Sequence, residues 1–297
     1  MNDVKIGWIG TGVMGEAMCS RLIDAGYKCC VSNRTKSKAD SLVAKGATFY
    51  KTPFRVAKEC DIVFTMVGFP KDVEQVYFSD TGLLEGSKPG QIFCDMTTTK
   101  PSIATRIYSS SKTYEVEFVD APVSGGDIGA KNGKLSIMAG GDKAIYDKLK
   151  PLFDIMGNPI YEGYSGSGQH TKMANQIAIA GIMGGVCESL LYATKMGLNL
   201  SVMLETIRGG AAACWSLDNL APRIIKEDFE PGFYVDHFVK DMKIALEEAE
   251  KVNLNLPTLK LVESLYEEAQ KQGYGKNGTQ ALFLALVNMN NIKIYEE

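Results

Sequence analysis

The sequence predicts an α/β protein in which an N-terminal doubly wound, mainly parallel sheet is followed by an all-α C-terminal domain, the two joined by a long helix. Two observations support this prediction. Through about residue 163, short apolar runs alternate with amphipathic helical stretches, as in chains that build a parallel sheet with helices on both faces. From Gly168 onward the strand pattern almost disappears. We therefore expect two domains, 1–165 and 166–297.

Short apolar runs of strand length predict the sheet. Polar, Pro or Gly residues bound each run, and helical patterns lie between consecutive runs. The predicted strands are Lys5–Ile9, Cys29–Asn33, Ile62–Val67, Gln91–Asp95, Glu117–Val119, Leu135–Ala139 and Pro159–Tyr161. The predicted helices between them are Met14–Asp24, Ser37–Lys45, Lys71–Tyr77, Ser102–Ser111 and Asp142–Met156.

The second half of the chain opens with a proline-free stretch, Gln169–Met196, which would be about 42 Å long as one continuous helix. Its first half is apolar nearly all round, which is typical of a helix buried between layers or at a subunit interface. Further helical patterns, broken by Gly209-Gly210 and Pro257, predict an all-helical domain. They cover Ser201–Arg208, Val239–Val252, Leu259–Gln272 and Thr279–Asn290.

Composition narrows the class of protein. Of the 297 residues, 45% are hydrophobic and 23% charged, with a formal net charge of −3, which is ordinary for a soluble globular chain. This balance offers no basic field for a nucleic acid or an anionic membrane. No signal peptide precedes the first predicted strand, and no apolar run reaches the ~18 residues of a membrane span. We expect a cytoplasmic protein with neither a nucleic-acid nor a membrane partner.

Cysteine and histidine usage predicts no metal site. The seven cysteines form neither a C-x-x-C pair nor an even disulfide framework, so we expect free, buried thiols in a reducing compartment. The two histidines, His170 and His237, are far apart in sequence and are expected to be ordinary polar residues.

A glycine-rich run lies directly after the first predicted strand and opens the first predicted helix. Three glycines at this spacing let a strand turn tightly into a helix whose free N–H groups face a pyrophosphate, whereas the alternative is an ordinary glycine turn. Because the run sits in a βαβ unit of the right length, it predicts a Rossmann dinucleotide-binding domain. The residues expected to contact the cofactor are Gly10, Thr11, Gly12, Val13, Met14 and Gly15.

The end of the second predicted strand indicates which dinucleotide is bound. An NAD-binding unit would place an Asp or Glu there to accept hydrogen bonds from the ribose 2′-hydroxyl, but this chain has Asn33-Arg34-Thr35. A guanidinium can pair with a 2′-phosphate, and Asn33 and Thr35 add hydrogen-bonding groups. The sequence therefore favours NADP over NAD, with a solvated basic loop as the alternative interpretation of Arg34.

Two segments after later strands carry candidate polar groups. Thr97-Thr98-Thr99 follows a strand at the edge where ligands bind in open α/β sheets, so its hydroxyls either reach the cofactor or cap the next helix. Ser124-Gly125-Gly126 can expose successive backbone N–H groups to an anion such as a carboxylate. A glycine-rich loop without a ligand is the alternative for this second segment.

The third candidate segment lies at the predicted domain boundary. Its glycines, from Gly163 to Gly168, predict a flexible junction, and the long helix begins directly after them. Lys172 and Asn175 are three residues apart and share a face of that helix. A lysine in an otherwise apolar helix is costly to bury unless it is paired or functional, although a snorkelling lysine is the alternative. If Lys172 faces a nicotinamide, it can give a proton to a carbonyl oxygen that gains hydride at its carbon.

Together these segments resemble the β-hydroxyacid dehydrogenase family, which includes 3-hydroxyisobutyrate dehydrogenases, tartronate semialdehyde reductases and glyoxylate/succinic semialdehyde reductases. The resemblance covers essentially the whole chain. It is carried by Gly10 to Gly15 with Met14 inside, by Asp120 to Gly126, by the glycine run into Lys172 and Asn175, and by Lys240-Asp241.

The resemblance implies a role for individual residues. Lys172 would be the catalytic acid/base, and Thr98 and Lys240 would approach the nicotinamide, with Asp241 nearby. The substrate, a small carboxylate, would be bound chiefly through its carboxylate group by Ser124, Gly125, Gly126 and Asn175, with Phe233 walling the pocket. Family members usually form homodimers or homotetramers through the helical domain, which agrees with the apolar long helix.

The chain also departs from the family pattern. Lys243 stands two residues after Asp241, where a small residue is common, and the substrate loop is Ser-Gly-Gly, whereas semialdehyde reductases often carry Ser-Gly-Ser. The loop and the NADP prediction thus point to different subgroups. The leading hypothesis is an NADPH-dependent reductase of a small aldehyde or keto acid. The alternatives are a 3-hydroxyisobutyrate dehydrogenase of valine catabolism and, in another class, a non-catalytic cofactor-binding scaffold.

Overall fold

The computed structural model describes residues 4–292. The chain divides into two compact units, Met1–Lys172 and Met173–Glu297. The division falls seven residues beyond the predicted boundary at 165, since the first turns of the long helix belong to the first unit. Backbone contact explains this, because a Cβ placed on Gly168 of that helix would lie 2.2 Å from the carbonyl oxygen of Met138 in the sheet.

The first unit is built on one sheet, and its described residues form nine strands. Their bounds are β1 Lys5–Ile9, β2 Lys28–Ser32, β3 Thr48–Phe49, β4 Ile62–Thr65, β5 Ile92–Asp95, β6 Glu117–Asp120, β7 Val123–Ser124, β8 Leu135–Gly141 and β9 Gly157–Gly163. All seven predicted strands are present, with ends that differ by up to two residues. The two strands that the sequence pattern missed, β3 and β7, are only two residues long.

The order of the strands confirms a parallel-dominated, doubly wound sheet. Neighbours follow the order β3-β2-β1-β4-β5-β6, and every pair among these six is parallel. Strand β8 pairs antiparallel with β6 and β7 and parallel with β9. The strand order reverses direction between β1 and β4, and ligands of such sheets bind at this reversal, outside the carboxyl ends of the strands.

Helices cover both faces of the sheet. They are α1 Val13–Asp24, α2 Asp40–Ala44, α3 Pro53–Glu59, α4 Pro70–Phe78, α5 Leu83–Gly86, α6 Pro101–Thr113, α7 Gly126–Asn132 and α8 Lys143–Met156, followed by the first turns of α9 Ser167–Lys195. Consecutive residues of β4 belong to two different apolar clusters, Phe64 with Trp8 and Val63 with Phe93. Because successive strand side chains point to opposite faces, each cluster fills one side of the sheet.

The second unit is helical. After the remainder of α9 it contains α10 Leu200–Arg208, α11 Trp215–Asn219, α12 Ala221–Ile225, α13 Val235–Lys251, α14 Pro257–Lys271 and α15 Leu282–Met289. Between 173 and 292 the structure has no strand, only one isolated bridge from Tyr234 to Gly278. The core of this unit is contiguous, and Met183, Leu190 and Phe238 are among its fully enclosed side chains.

Among the described helices, α9 alone has the length and apolar composition that a membrane crossing needs, with an 18-residue window of mean hydropathy 1.5. This corrects the expectation that no apolar stretch of the chain reaches that length. Nearly half of the window, 44%, is buried, and a core helix of a globular protein passes the same test. Its buried side chains Met183, Cys187 and Leu190 lie in the core of the second unit, so the absence of a membrane partner stays a prediction.

Candidate functional site

The glycine-rich turn after β1 is shaped by close backbone approach. Gly10 has φ +92°, a left-handed conformation that favours glycine, and a Cβ there would lie 2.2 Å from the carbonyl oxygen of Met66. A Cβ on Gly15 would lie 2.0 Å from the carbonyl oxygen of Gly10. Trp8 lies beneath the turn, fully buried, and its indole Nε1 donates to the Gly10 carbonyl at 3.0 Å. The turn is therefore a fixed element of the fold.

Gly12, at the centre of the run, faces open space. It is the N-cap of α1 with an ordinary extended conformation at φ −75°, and a Cβ built on it would meet no atom within 4 Å. No side chain caps this helix, and the next residue, Val13, is 57% exposed. An N-terminus with free space and no protein cap fits a pyrophosphate group. The space that glycine leaves here thus suits a dinucleotide.

The loop after β2 holds the predicted 2′-phosphate residue. The side chain of Asn33 braces the loop, because its Oδ1 accepts from the N–H of Thr11 at 3.1 Å and its Nδ2 donates to the Thr35 carbonyl at 2.8 Å. Arg34 extends outward with its side chain 83% exposed, and its Nη1 lies 3.3 Å from Oδ1 of Asp72. Exposed pairs of this kind contribute about 0–1 kcal/mol, so Arg34 is available to a ligand.

The loop after β5 is anchored by buried hydrogen bonds. Asp95 Oδ1 accepts from the hydroxyl of Thr65 at 2.7 Å and from the N–H of Thr97 at 3.1 Å, while the Thr97 hydroxyl accepts from the N–H of Val67 at 3.0 Å. Thr98 is the half-buried residue between two buried threonines. The N-cap of α6 is Lys100, and the helix has no side-chain cap. The alternative interpretation of these threonines as a helix cap is therefore wrong.

The segment Ser124-Gly125-Gly126 bends sharply from β7 into α7. Ser124 still pairs with Ser136 of β8, whereas Gly125 and Gly126 have φ values of +126° and +63°. Two consecutive residues with positive φ favour glycine at both positions. Gly125 is exposed and caps α7 with no side-chain bond. This geometry is compatible with binding of a small anion.

A buried carboxylate caps the start of α9. Asp120, fully buried at the end of β6, accepts from the N–H of Gly166 at 2.6 Å and from the N–H of Gln169 at 2.9 Å. Burial raises the pKa of this carboxyl to about 7, against the opposing effect of its backbone hydrogen bonds and with a smaller contribution from the charge of Asp95. The predicted flexible junction is therefore wrong: this segment is hydrogen-bonded and closely packed, since Gly168 presses against the backbone of Met138.

Gln169 joins the start of α9 to the loop after β5. Its Oε1 accepts from the N–H of Thr99 at 3.0 Å, and its Nε2 donates to the carbonyl of Thr97 at 2.8 Å. The side chain is fully buried. Sequence reasoning missed this residue, and the only available signal was a polar side chain at the first turn of an apolar helix.

Lys172 follows Gln169 by three residues on the same helix face and is 6% exposed. This burial does not fit the alternative of a lysine that snorkels into solvent. A buried ammonium has lost most of its hydration, so its position must provide interactions that favour it or a use for its charge. The buried lysine thus stands one turn from a helix start held by Asp120 and Gln169.

In the second unit, four polar side chains form a connected chain. Asn175 Nδ2 donates to Gln176 Oε1 at 2.7 Å, and Gln176 Nε2 donates to Asp241 Oδ2 at 2.7 Å. The other oxygen of Asp241 lies 3.0 Å from the ammonium of Lys240. Asp241 is 1% exposed, so it acts on its surroundings through Gln176 and Lys240. Gln176 was not predicted from the sequence.

Phe233 precedes α13 and contributes an aromatic surface. It is 36% exposed, its ring stacks on the imidazole of His237 at 6.4 Å, and it packs edge-on against Phe238 at 5.9 Å. Burial lowers the pKa of His237, and the charge of Lys240 lowers it further. No group of three His, Cys, Asp or Glu side chains that could hold a metal ion occurs among the described residues.

Comparison with known proteins agrees with the geometry of both units. Residues 5–166 match a family model described as the NAD binding domain of 6-phosphogluconate dehydrogenase, and residues 166–286 match one described as the NAD-binding domain of NADP-dependent 3-hydroxyisobutyrate dehydrogenase. An Arabidopsis thaliana protein named probable 3-hydroxyisobutyrate dehydrogenase-like 1, mitochondrial, is 50% identical over 99% of this chain and 88% of its own length.

Two further relatives are more distant. The 2-hydroxy-3-oxopropionate reductase of Escherichia coli is 36% identical over 98% of this chain and its whole length. A crystal structure of 3-hydroxyisobutyrate dehydrogenase from Salmonella typhimurium has a TM-score of 0.86 and 27% identity, covering 95% of this chain and 99% of that one.

Proposed function

This chain belongs to the β-hydroxyacid dehydrogenase family, and we propose that it is an NADPH-preferring reductase of small carboxylated aldehydes that runs in reverse as a hydroxyacid dehydrogenase. The observation that carries the proposal is the buried Lys172, set on a helix start that Asp120 and Gln169 hold in place, in the same unit as the open glycine turn at Gly12. One unit thus offers a cofactor cradle and a desolvated proton donor.

The cofactor residues follow from this cradle. The N–H groups at the start of α1 would receive the pyrophosphate, and Arg34, with Asn33 and Thr35 beside it, would receive the 2′-phosphate. Thr98 would contact the nicotinamide end. Support for NADP over NAD is the absence of an acidic residue at the end of β2 and the exposed guanidinium found there.

Lys172 would act as general acid in the reductive direction. A bound nicotinamide supplies the hydride that the carbonyl carbon accepts. The Lys172 ammonium hydrogen-bonds the carbonyl oxygen and transfers its proton to that oxygen as the negative charge develops, so the aldehyde becomes an alcohol. In the oxidative direction, the neutral amine takes the same proton from the alcohol. The fixed start of α9 keeps Nζ oriented, which general acid catalysis requires.

The substrate carboxylate would be bound by the loop at Ser124, Gly125 and Gly126, whose backbone N–H groups suit an anion. We assign Asn175 and Phe233 to substrate contact in the second unit. Lys240 would approach the nicotinamide, and Asp241 is best described as a positioning residue that holds Lys240 and Gln176. The relative named 2-hydroxy-3-oxopropionate reductase supports a carboxylated aldehyde as substrate class.

A second candidate is an NAD(P)-dependent 3-hydroxyisobutyrate dehydrogenase of valine catabolism. It is favoured by the names of the Arabidopsis and Salmonella relatives and by the Ser-Gly-Gly loop at 124–126. This candidate uses the same residues and the same acid/base step. It differs in the preferred substrate and direction.

An initial-rate assay distinguishes these candidates. NADPH and NADH are each tested against glyoxylate, succinic semialdehyde, tartronate semialdehyde and methylmalonate semialdehyde. We expect the highest kcat/KM with NADPH and one of the first three aldehydes. Preference for methylmalonate semialdehyde would favour the second candidate, and a higher kcat/KM with NADH would contradict the cofactor proposal. Cofactor binding without turnover on any of the four would indicate a non-catalytic scaffold.

We further propose that the protein is cytoplasmic and assembles as a homodimer or homotetramer. Large apolar side chains exposed on the helical unit support assembly, among them Tyr192 at 65%, Val202 at 63% and Leu261 at 62%. Light scattering on the purified chain is expected to give a mass two or four times 32.4 kDa. A monomeric mass at micromolar concentration would contradict this assembly.

A further inference from the structure

We infer that Asp72 limits how strongly this chain prefers NADPH over NADH, because its carboxylate occupies the guanidinium that would bind the 2′-phosphate. The inference rests on the proposed function in one respect, namely that Arg34 contacts this phosphate. Asp72 is thus a specificity-determining residue. Without it, Arg34 would give this chain a stronger preference for NADPH.

The carboxylate of Asp72 is fixed in place. Asp72 is the third residue of α4, its side chain is 15% exposed, and its Oδ2 accepts from the N–H of Phe69 at 3.1 Å. This bond belongs to the capping box of the helix, so turning the carboxylate away would break a helix-capping hydrogen bond. The other oxygen, Oδ1, lies 3.3 Å from Arg34 Nη1. The acid is therefore held by a backbone hydrogen bond beside an exposed arginine.

A phosphate on Arg34 would have to share this cation. Two oxyanions that bind one guanidinium compete for its N–H donors and its charge, so the contact with Asp72 weakens the attraction that Arg34 offers to the phosphate. The 2′-phosphate of NADPH carries up to two negative charges, whereas NADH has an uncharged hydroxyl at that position. Asp72 therefore penalises NADPH and leaves NADH nearly unaffected.

The other charged residues near Arg34 do not remove the difference that Asp72 makes between NADPH and NADH binding. Lys36 and Lys38, two and four residues after Arg34 in the chain, act on an anion here whether or not Asp72 is present. Glu74, two residues further along α4, is engaged with Arg106 at 2.8 Å. Glu74 is therefore a matched control, because it lies on the same helix and carries the same charge as Asp72 but pairs with a different arginine.

The test measures dissociation constants for NADPH and NADH by isothermal titration calorimetry. We compare the unchanged protein with Asp72→Asn, Glu74→Gln, Arg34→Ala and the Arg34→Ala/Asp72→Asn double variant. Asparagine keeps an oxygen for the Phe69 N–H, so Asp72→Asn is expected to fold with an unchanged Tm. We expect Asp72→Asn to bind NADPH about three- to tenfold more tightly, with binding of NADH changed less than about twofold, as exposed charge interactions allow. Glu74→Gln should leave both constants unchanged.

The double variant separates the inference from the proposal on which it rests. If Asp72 acts by occupying Arg34, Asp72→Asn should have little effect on NADPH binding once Arg34 is alanine. An unchanged ratio of the two constants in Asp72→Asn, together with weaker NADPH binding in Arg34→Ala, would overturn the inference alone. An unchanged ratio in Arg34→Ala would overturn the contact with the 2′-phosphate, and with it both statements.

Discussion

Two helices of the first unit begin at the carboxyl edge of the sheet, and they differ in whether the protein itself caps their N-termini. Helix α1 begins at Gly12, with no side-chain cap and open space around the absent Cβ. Helix α9 begins at a segment whose N–H groups at Gly166 and Gln169 are already bonded to the buried carboxylate of Asp120. The first N-terminus has room for an external anion, whereas the second is bonded to a carboxyl group of the protein itself.

This difference shows what decides whether a helix N-terminus can bind a ligand. The partial positive charge is the same at both ends, and what differs is whether the protein supplies its own carboxylate. At α1 no side-chain cap is present, and we propose that a pyrophosphate binds there. At α9 it is neutralised inside the protein, and the helix serves instead to hold Lys172 one turn further on.

The largest expected effect tests the role assigned to α9. Lys172→Ala should lower kcat by at least ~10², the usual scale of general acid catalysis, because the carbonyl oxygen loses its proton donor. The dissociation constant for NADPH, measured by calorimetry, should change little since α1 is untouched. Lys195→Ala, at the exposed far end of the same helix, is the control and should keep its activity. Near-normal turnover of Lys172→Ala would disprove the mechanism.

A matched pair of glycine substitutions sharpens the contrast between the two N-termini. Gly168→Ala should lower the free energy of unfolding by about 1–3 kcal/mol, since its Cβ would lie 2.2 Å from the Met138 carbonyl oxygen. Gly12→Ala should lower it by less than about 1 kcal/mol, because alanine is only a somewhat poorer N-cap than glycine and its Cβ would meet no atom within 4 Å, while NADPH binding is weakened. Chemical denaturation and calorimetry measure the two effects. Equal stability losses in both variants would contradict the contrast.

Removing the brace beside Lys172 should reduce catalysis without removing the catalytic group. Gln169→Leu leaves the Thr97 carbonyl and the Thr99 N–H without their partner, which should cost about 1–3 kcal/mol of stability. We expect kcat to fall about tenfold, with KM for the aldehyde changed less, because Lys172 loses its orientation. Gln169→Glu, whose protonated form can accept from the Thr99 N–H and donate to the Thr97 carbonyl, should recover part of the activity. Lost stability with unchanged kcat would make Gln169 purely structural.

The smallest expected effect concerns the internal cap of α9. The pKa of Asp120 is raised to about 7 in the folded protein, above the value near 4 of an unfolded chain. The folded state therefore binds more protons in this window, and the stability that Asp120 contributes is lost as pH rises from about 4 through 7. Relative to Asp120→Asn, the protein should lose about 1 kcal/mol between pH 6 and pH 7. Denaturation curves at several pH values measure this difference, and a pH-independent gap would contradict it.

The sequence predicted those features whose cause lies in neighbouring residues. Strand β1 is apolar from Ile6 to Ile9 and is predicted with its observed ends, and Gly12 and Lys172 stand out because their local context is unusual. Features that depend on distant partners were missed. The lack of space for a side chain at Gly168 is due to Met138, and the ion pair of Arg34 is made with Asp72, 38 residues away.

The same limit explains the errors within the site. A glycine-rich segment predicts flexibility when nothing is known of what packs on it, so the sequence predicts a flexible junction from Gly163 to Gly168. Gln169 looks like any polar residue after a glycine, and its role appears only when Thr97 and Thr99, some 70 residues earlier, are brought to it by the fold. Short strands such as β7 are defined by their partner strand and have no periodicity of their own.

The placement of the tryptophans has an optical consequence. The chain has two, Trp8 and Trp215, and the division of the molecule gives one to each unit. Trp8 is fully buried beneath the glycine turn and stacks on Phe64 at 5.4 Å, whereas Trp215 is 64% exposed. Trp8 should therefore emit at short wavelength and resist iodide quenching, and Trp215 should emit at longer wavelength and be quenched. Each unit thus carries its own native fluorophore, so the emission of the two units can be distinguished without an added label.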